Sequence, residues 1–359
     1  MTMLRKGLRW YLQMRFLAII LLIGASWSAR AQLGGSYTYQ YLLLPNSARV
    51  AALGGVNVSS MDGDAAMGWM NPALLNAQMH NVLSVNHAIC AGNINHGYVA
   101  YARSGRNTDL TYHTGLLYNT YGTMAAYDEN GNPNGSFKAS EYALTGGISY
   151  RADKLSYGMN ARLLYGQLES YNSLGVAIDL GGAYADTARR LYAGVVLKNI
   201  GTQLISYTPQ NAEPLPFEIQ AGISKRLQYL PLQVSLTAHN MQQFDIRYAD
   251  PANTGQQNIF AADSNSENED RFIGDKILRH LVLAGEFYFG DNLRVRAGYD
   301  FMQQRELILA TRRGLTGFSM GMGIIVKKYS IDYSYEVTSL AGGNHYFSIS
   351  TDLDYFGKR

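Results

Sequence analysis

The sequence predicts an all-β fold: a transmembrane antiparallel β-barrel of about fourteen strands behind an N-terminal plug-like segment. Three observations predict it. The C-terminal third alternates apolar and polar residues one by one. The alternating runs approach the 9–11 residues that a tilted strand needs to cross a bilayer. The composition is rich in tyrosine (27) and glycine (37) and poor in proline (8), which suits many short alternating strands.

Taken in order, the chain opens on what reads as an export signal. Arg5, Lys6, Arg9 and Arg15 form a basic start, Phe16 to Ile23 is unbroken apolar sequence, and Ala29-Arg30-Ala31 offers small residues where a signal peptidase reads. Cleavage is expected before Gln32. The apolar run is too short for a spanning helix, which needs about 20 residues. Five of the 30 basic residues and none of the 27 acidic ones fall in 1–31, so the remainder carries 25 basic against 27 acidic, a net charge of −2. No basic tract tracks a phosphate backbone, which excludes nucleic acid as a partner. A single cysteine, Cys90, allows no intramolecular disulfide and reads as a small turn or strand residue.

Residues 36–78 do not alternate. Ser47 to Leu53 reads as a short helix ended by Gly54-Gly55. Asn71-Pro72-Ala73 reads as a second helix start, with Asn71 capping and Pro72 in the first turn. A segment of this kind ahead of a wide barrel fills its lumen as a plug. A periplasmic extension packed beneath the barrel is the alternative. The expected organisation is an export signal over 1–31, a plug or periplasmic segment over 32–80 and a barrel over 81–359.

The strands are expected near 81–89, 94–103, 109–119, 141–150, 155–167, 172–185, 190–198, 216–226, 231–241, 279–289, 293–301, 316–326, 329–338 and 345–356. In 293–301, Leu293, Val295, Ala297, Tyr299 and Phe301 alternate with Arg294, Arg296, Gly298 and Asp300. In 329–338, Tyr329, Ile331, Tyr333, Tyr335 and Val337 alternate with Ser330, Asp332, Ser334 and Glu336. Successive side chains of a strand face opposite ways, so each run has one apolar and one polar face. Charge on the polar faces and tyrosine at the ends of the apolar ones fit a wet interior, a lipid-facing exterior and aromatic girdles. In lipid the backbone must be paired within the protein, so the sheet closes. The expected location is the cell outer membrane, with outer-membrane lipid as the surrounding partner.

Loop lengths give a separate test. Every second connection is short: Ser104–Thr108, Ala152–Lys154, Asp186–Arg189, Leu227–Leu230, Gly290–Asp291 and Lys327–Lys328. Several of the others are long: Thr120–Ser140, Asn199–Leu215, Gln242–Asp275 and Gln303–Leu315. Short periplasmic turns and long external loops are the barrel pattern. The acidic tract Asp263 to Asp270 lacks an EF-hand's spacing and glycine and reads as a solvated loop.

Several segments carry a resemblance. They are Tyr41-Leu42-Leu43-Leu44-Pro45-Asn46-Ser47-Ala48-Arg49-Val50-Ala51-Ala52-Leu53-Gly54-Gly55, then Asn71-Pro72-Ala73-Leu74-Leu75, Glu141-Tyr142-Ala143-Leu144, Lys198 to Leu204 and Glu213 to Gln220. Together they resemble the PorQ family of the type IX secretion system. The Ser-Ala-Arg and Asn-Pro-Ala elements are shared with PorV and with fatty-acid-channel-like barrels. The resemblance implies a fourteen-stranded barrel of the fatty-acid-transporter type. It also implies a surface role: anchoring PorZ, near PorU and PorV, in the complex that processes and attaches secreted cargo. No partner-binding residue carries over, because the matched segments lie in strands, plug and loop bases.

Chemistry is expected to be absent. The seven histidines, His80, His87, His96, His113, His239, His280 and His345, include no zinc-type pair at helical spacing. No Gly-x-Ser-x-Gly elbow occurs. His239 and Asp300 share the polar side of the wall, which leaves a lumenal acid–base pair open. Arg294, Arg296, Asp332 and Glu336 read as an ion-pair network tying plug to wall. The expectation is therefore no catalytic residue, no cofactor and no metal. Two readings compete with anchoring. One is a transporter of small hydrophobic compounds, for which Gly146-Gly147 or Gly181-Gly182 would mark a kink in the wall. The other is a passive pore.

Overall fold

The computed structural model describes residues 37–105, 109–208, 211–246, 273–306, 315–339 and 342–357. The expected export signal and the acidic tract 263–270 lie outside them. Fourteen antiparallel strands form one closed barrel in sequence order, with the first pairing the last. They are β1 (Val82–Ile89), β2 (Asn95–Ser104), β3 (Leu110–Tyr127), β4 (Pro133–Ala152), β5 (Leu155–Leu168), β6 (Tyr171–Asp186) and β7 (Leu191–Ile205), then β8 (Glu218–Arg226), β9 (Leu232–Ala238), β10 (Leu281–Phe289), β11 (Leu293–Asp300), β12 (Phe318–Val326), β13 (Tyr329–Ser339) and β14 (Gly342–Asp352).

Register turns the alternation into two surfaces. Leu116, Leu144, Leu163 and Val176 pair in a row across β3 to β6, and all four face outward and exposed. One layer away, His113, Gly147, Asn160 and Asp179 form an inward row. His113, Asn160 and Asp179 in it are buried. Tyr118, Tyr142 and Tyr165 make an aromatic row near one end, and Tyr150 pairs Tyr157 near the other. From Tyr142 to Tyr150 the strand advances roughly 27 Å, which a tilt of about 40° reduces to roughly 21 Å, close to the apolar band of such barrels. Among the described residues no helix is long and apolar enough to cross a membrane. A closed sheet with a greasy exterior, aromatic rows at both ends and a polar interior is an outer-membrane β-barrel.

The end bearing turns 105–109, 153–154, 187–190, 227–231, 290–292 and 327–328 is periplasmic, because every connection there is short. The other end carries the long connections 206–217, 239–280 and 301–317. Two expected loops are not loops. β3 and β4 run on as a two-stranded ribbon that pairs only with itself beyond Thr120 and Ala139, leaving a five-residue tip, 128–132. Asp128 closes that tip by accepting from the backbone N–H groups of Asn130 (2.9 Å) and Asn132 (2.8 Å). β7 likewise continues to Ile205, so 199–205 is strand. Strand 293–301 ends one residue early, because Asp300 Oδ1 accepts from Met302 N (2.8 Å) and starts the helix Phe301–Glu306. The last strand stops at Asp352; Leu353 is in the turn that follows it, and Tyr355 is in the short helix Asp354–Gly357.

The plug is inside. Helix α1 (Ala48–Ala52) is capped by Ser47 Oγ, which accepts from Val50 N (3.3 Å), and Gly54 and Gly55 follow with φ of 85° and 82°. Asn71 Oδ1 accepts from Ala73 N (3.0 Å) and starts a 3₁₀ turn, Pro72–Leu74. Both caps fall where the sequence puts them. Trp69, Met67, Leu74 and Met79 are wholly buried against inward residues such as Tyr98, Leu117 and Leu164. The plug backbone comes so near the wall that a Cβ on Gly158 would overlap Pro72, and one on Gly194 would overlap the Val58 carbonyl.

Candidate functional site

The lumen is where polar chemistry collects. It has two seats for the plug. On the β5–β6 side Arg162 pairs with Asp179 at 2.5 Å, both side chains wholly buried. Arg162 also donates to the Trp69 carbonyl (3.1 Å) and stacks over the Trp69 ring at 3.8 Å. Asn160 donates to the Gly68 carbonyl (3.0 Å). Asn71 Nδ2 donates to the carbonyl of Val58 (3.1 Å) within the plug and to those of Gly182 and Val195 (each 3.4 Å) on the wall. Here wall side chains read the plug's backbone, and Asn71 of the plug reads the wall's.

On the β10–β13 side the seat is ionic. Arg49 of α1 pairs with Glu286 at 3.1 Å and with Asp62. Glu286 also accepts from Arg296 at 2.7 Å, and Arg296 reaches Asp332 at 2.5 Å. Arg294 lies 4.0 Å from Asp62. Burial disfavours the charged Arg49, but Asp62 and Glu286 outweigh it and hold the guanidinium above its ordinary range. Burial pushes the Asp64 carboxyl up to about 6, with Asp62 adding to the rise and Arg49 opposing it. Beside this seat a cavity of about 180 Å³ opens at the periplasmic mouth, lined by Ser47, Arg49, Asp62, Arg294, Asp332 and Ser350 among others. Its lining is ionic and hydroxylic, suited to water.

Of the four residues expected to tie plug to wall, Arg294, Arg296 and Asp332 sit in this network. Glu336 does not: it accepts from Tyr346 Oη (3.0 Å) and Gln303 Nε2 (3.1 Å) and braces the wall instead. Arg49, Arg162, Asp179 and Glu286 were not among the residues expected to tie plug to wall. Arg162 and Asp179 fall at polar positions of alternating strands, which is the signal that marks them as inward.

His239 and Asp300 do come together, with Nε2 3.9 Å from Asp300 Oδ1, and Glu218 lies 3.8 Å from Nδ1. All three are buried, and neither distance is a hydrogen bond. Cys90 follows β1 half-buried, and burial pushes its thiol up to about 11, the reverse of an activated nucleophile. Gly146-Gly147 and Gly181-Gly182 do not kink the wall. Pairing runs unbroken through both pairs. Gly147 and Gly181 instead make room for Asn160 and Asn71 in the lumen.

No protein-family model and no curated protein sequence matches the chain. Solved structures do. The toluene transporter TbuX of Ralstonia pickettii is similar with a TM-score of 0.51 and 12% identity, over 87% of this chain and 99% of that one. A deltaS2S3 mutant of the monoaromatic hydrocarbon channel TodX is similar with a TM-score of 0.52 and 14% identity, over 86% of this chain and 99% of that one. At such identities the likeness establishes the barrel fold.

Proposed function

We propose that the protein is a non-catalytic, non-conducting anchor in the outer membrane, whose external surface holds a secretion partner. The observation that carries this reading is the filled lumen. The plug is seated on two sides by buried pairs, and the periplasmic cavity beside it is lined by charges and hydroxyls. The resemblance to PorQ proteins supplies the finer content: a type IX secretion role, with PorZ held at the surface near PorU and PorV. The ribbon of β3 and β4 reaches roughly 20 Å past its neighbours and offers an extended arm for such a grip.

Replacing residues 123–138 by a two-residue turn tests the reading. The barrel is expected to insert normally while the surface partner is released into the medium. Full retention of the partner by the shortened barrel overturns the ribbon's part. Planar-bilayer recording of the intact protein is expected to give no single-channel steps.

A second reading, transport of small hydrophobic compounds, has the fold comparisons on its side, since the two similar structures are a toluene transporter and a hydrocarbon channel. It requires an apolar passage past the plug. Saturable uptake of a labelled monoaromatic compound, lost on deletion of the gene, would favour it over anchoring.

A further inference from the structure

One corner of the periplasmic rim gathers four exposed cations around a single acid, Asp186. Arg189 and Arg190 end the β6–β7 turn, and Lys225 and Arg226 end β8. Pairing sets them side by side: Leu191 faces Lys225 in the register, and Arg226 N donates to the Arg190 carbonyl (3.1 Å). All four are exposed. Among the described residues no carboxylate lies within ion-pair distance of any of their side chains. Asp186, the acid beside them, is buried; it is engaged by the Lys154 ammonium at 3.0 Å and accepts from the Arg189 backbone N–H at 3.0 Å. Lys225 Nζ donates to the Arg189 carbonyl, Arg190 to the Leu227 carbonyl (3.4 Å), and Arg226 lies over the Tyr288 ring at 4.2 Å. These contacts order the cations without neutralising them.

We propose that this corner binds the phosphate-bearing headgroup of an anionic phospholipid in the periplasmic leaflet of the membrane. Height and direction favour lipid over an acidic peptide. Lys225 stands on the outward face of β8, two positions below Ile223, which is exposed on the apolar exterior. Lys225 therefore sits directly beneath hydrocarbon-facing positions, at headgroup level, and its Nζ holds the Arg189 backbone beside it; Arg226, on the lumen-facing side of β8, turns over Tyr288. The adjoining turn 227–231 presents Tyr229 (91% exposed) and Leu230 (54%). An aromatic and an aliphatic residue projecting beside a basic cluster match the interfacial belt, where a ring rests among headgroups and basic side chains meet phosphate. The described external surface is mainly acidic, with Asp128, Glu129, Glu169 and Glu213 exposed against one exposed lysine, Lys138, on the ribbon.

Native mass spectrometry of the full barrel, released from nanodiscs of equal phosphatidylglycerol and phosphatidylethanolamine, tests the site. The wild type is expected to retain phosphatidylglycerol over phosphatidylethanolamine by at least about tenfold, given the attraction of three or more cations for an anionic surface. The R189Q/R190G/K225Q variant is expected to fall to parity. Arg190 has a φ of 51°, which glycine adopts more readily, so Arg190→Gly alone keeps the turn and is expected to lose part of the preference. K327Q/K328Q, at another turn of the same rim, serves as control and is expected to leave the preference intact. Parity in the wild type overturns the proposal, as does an equal loss in the control. Displacement of the lipid by millimolar glycerol 3-phosphate or by an acidic peptide overturns the lipid assignment in favour of those sources.

Discussion

The plug meets the barrel on two sides with different chemistry. Toward β5 and β6 the wall grips plug backbone: Arg162 and Asn160 donate to the Trp69 and Gly68 carbonyls, and no solvent reaches the Arg162–Asp179 pair. Toward β10–β13 the wall grips a plug side chain, Arg49, within a network whose outer members Asp62 and Arg294 are each 27% exposed. The first seat is dry and centres on one ion pair, whose carboxylate also accepts from Asn160 Nδ2 (3.2 Å) and the Asn199 backbone N–H (2.9 Å) but meets only one cation among the described residues. The second is wet, branched and redundant, since Glu286 keeps Arg296 if Arg49 is lost. Ion pairs can thus make a brittle joint or a forgiving one, depending on burial and on how many opposite charges answer each group.

This contrast can be broken by mutation. The largest effect is expected from Arg162→Met, which leaves Asp179 buried without its cation and removes a bond to the plug. Stability should fall by about 3–5 kcal/mol, read from urea unfolding in detergent micelles. A fall no larger than that of the ionic seat would erase the distinction. Next comes Gly194→Ala, which pushes a methyl into the Val58 carbonyl. The expected cost is about 1–3 kcal/mol, with brief single-channel openings as the plug is displaced. An unaltered, silent barrel would mean the plug yields freely at that point.

Arg49→Gln is expected to cost less than Arg162→Met, about 1–2 kcal/mol, because Arg296 still serves Glu286. The smallest effect concerns pH. Asp64 titrates at about 6 in the folded protein against an ordinary value of 3.8. A raised folded value contributes stability fully below pH 4, and that contribution is lost as pH rises through 6. Wild-type unfolding midpoints should therefore decline between about pH 4 and 6 and level off above about pH 7, and Asp64→Asn should flatten that decline. The same slope in D64N would assign the pH response to another group.

Much of the architecture was legible, for a simple reason. A strand with lipid on one face and a wet lumen on the other must alternate, and β11, β13 and β14 do. Ser47 and Asn71 were legible because capping is a local bond between a side chain and the next turn. The ribbon of β3 and β4 was not. Past Thr120, Gly122, Ala125 and Ala126 interrupt any apolar rhythm, and two strands paired through backbone alone impose none. The ionic seat was half legible. Arg296 and Asp332 lie on evident polar faces, whereas Arg49 sits in a plug helix of five residues whose direction no pattern gives.

By itself the sequence determined the strand order, the inward and outward faces and the two plug caps, because each follows from residues close together in the chain. Tertiary structure alone decided which charges met. Arg162 pairs with Asp179 through the stagger of two strands joined by a turn, and Arg49 reaches Glu286 across 237 positions. Only the closed wall, wrapped around the plug, brings those partners within reach and excludes the water that would otherwise keep them apart.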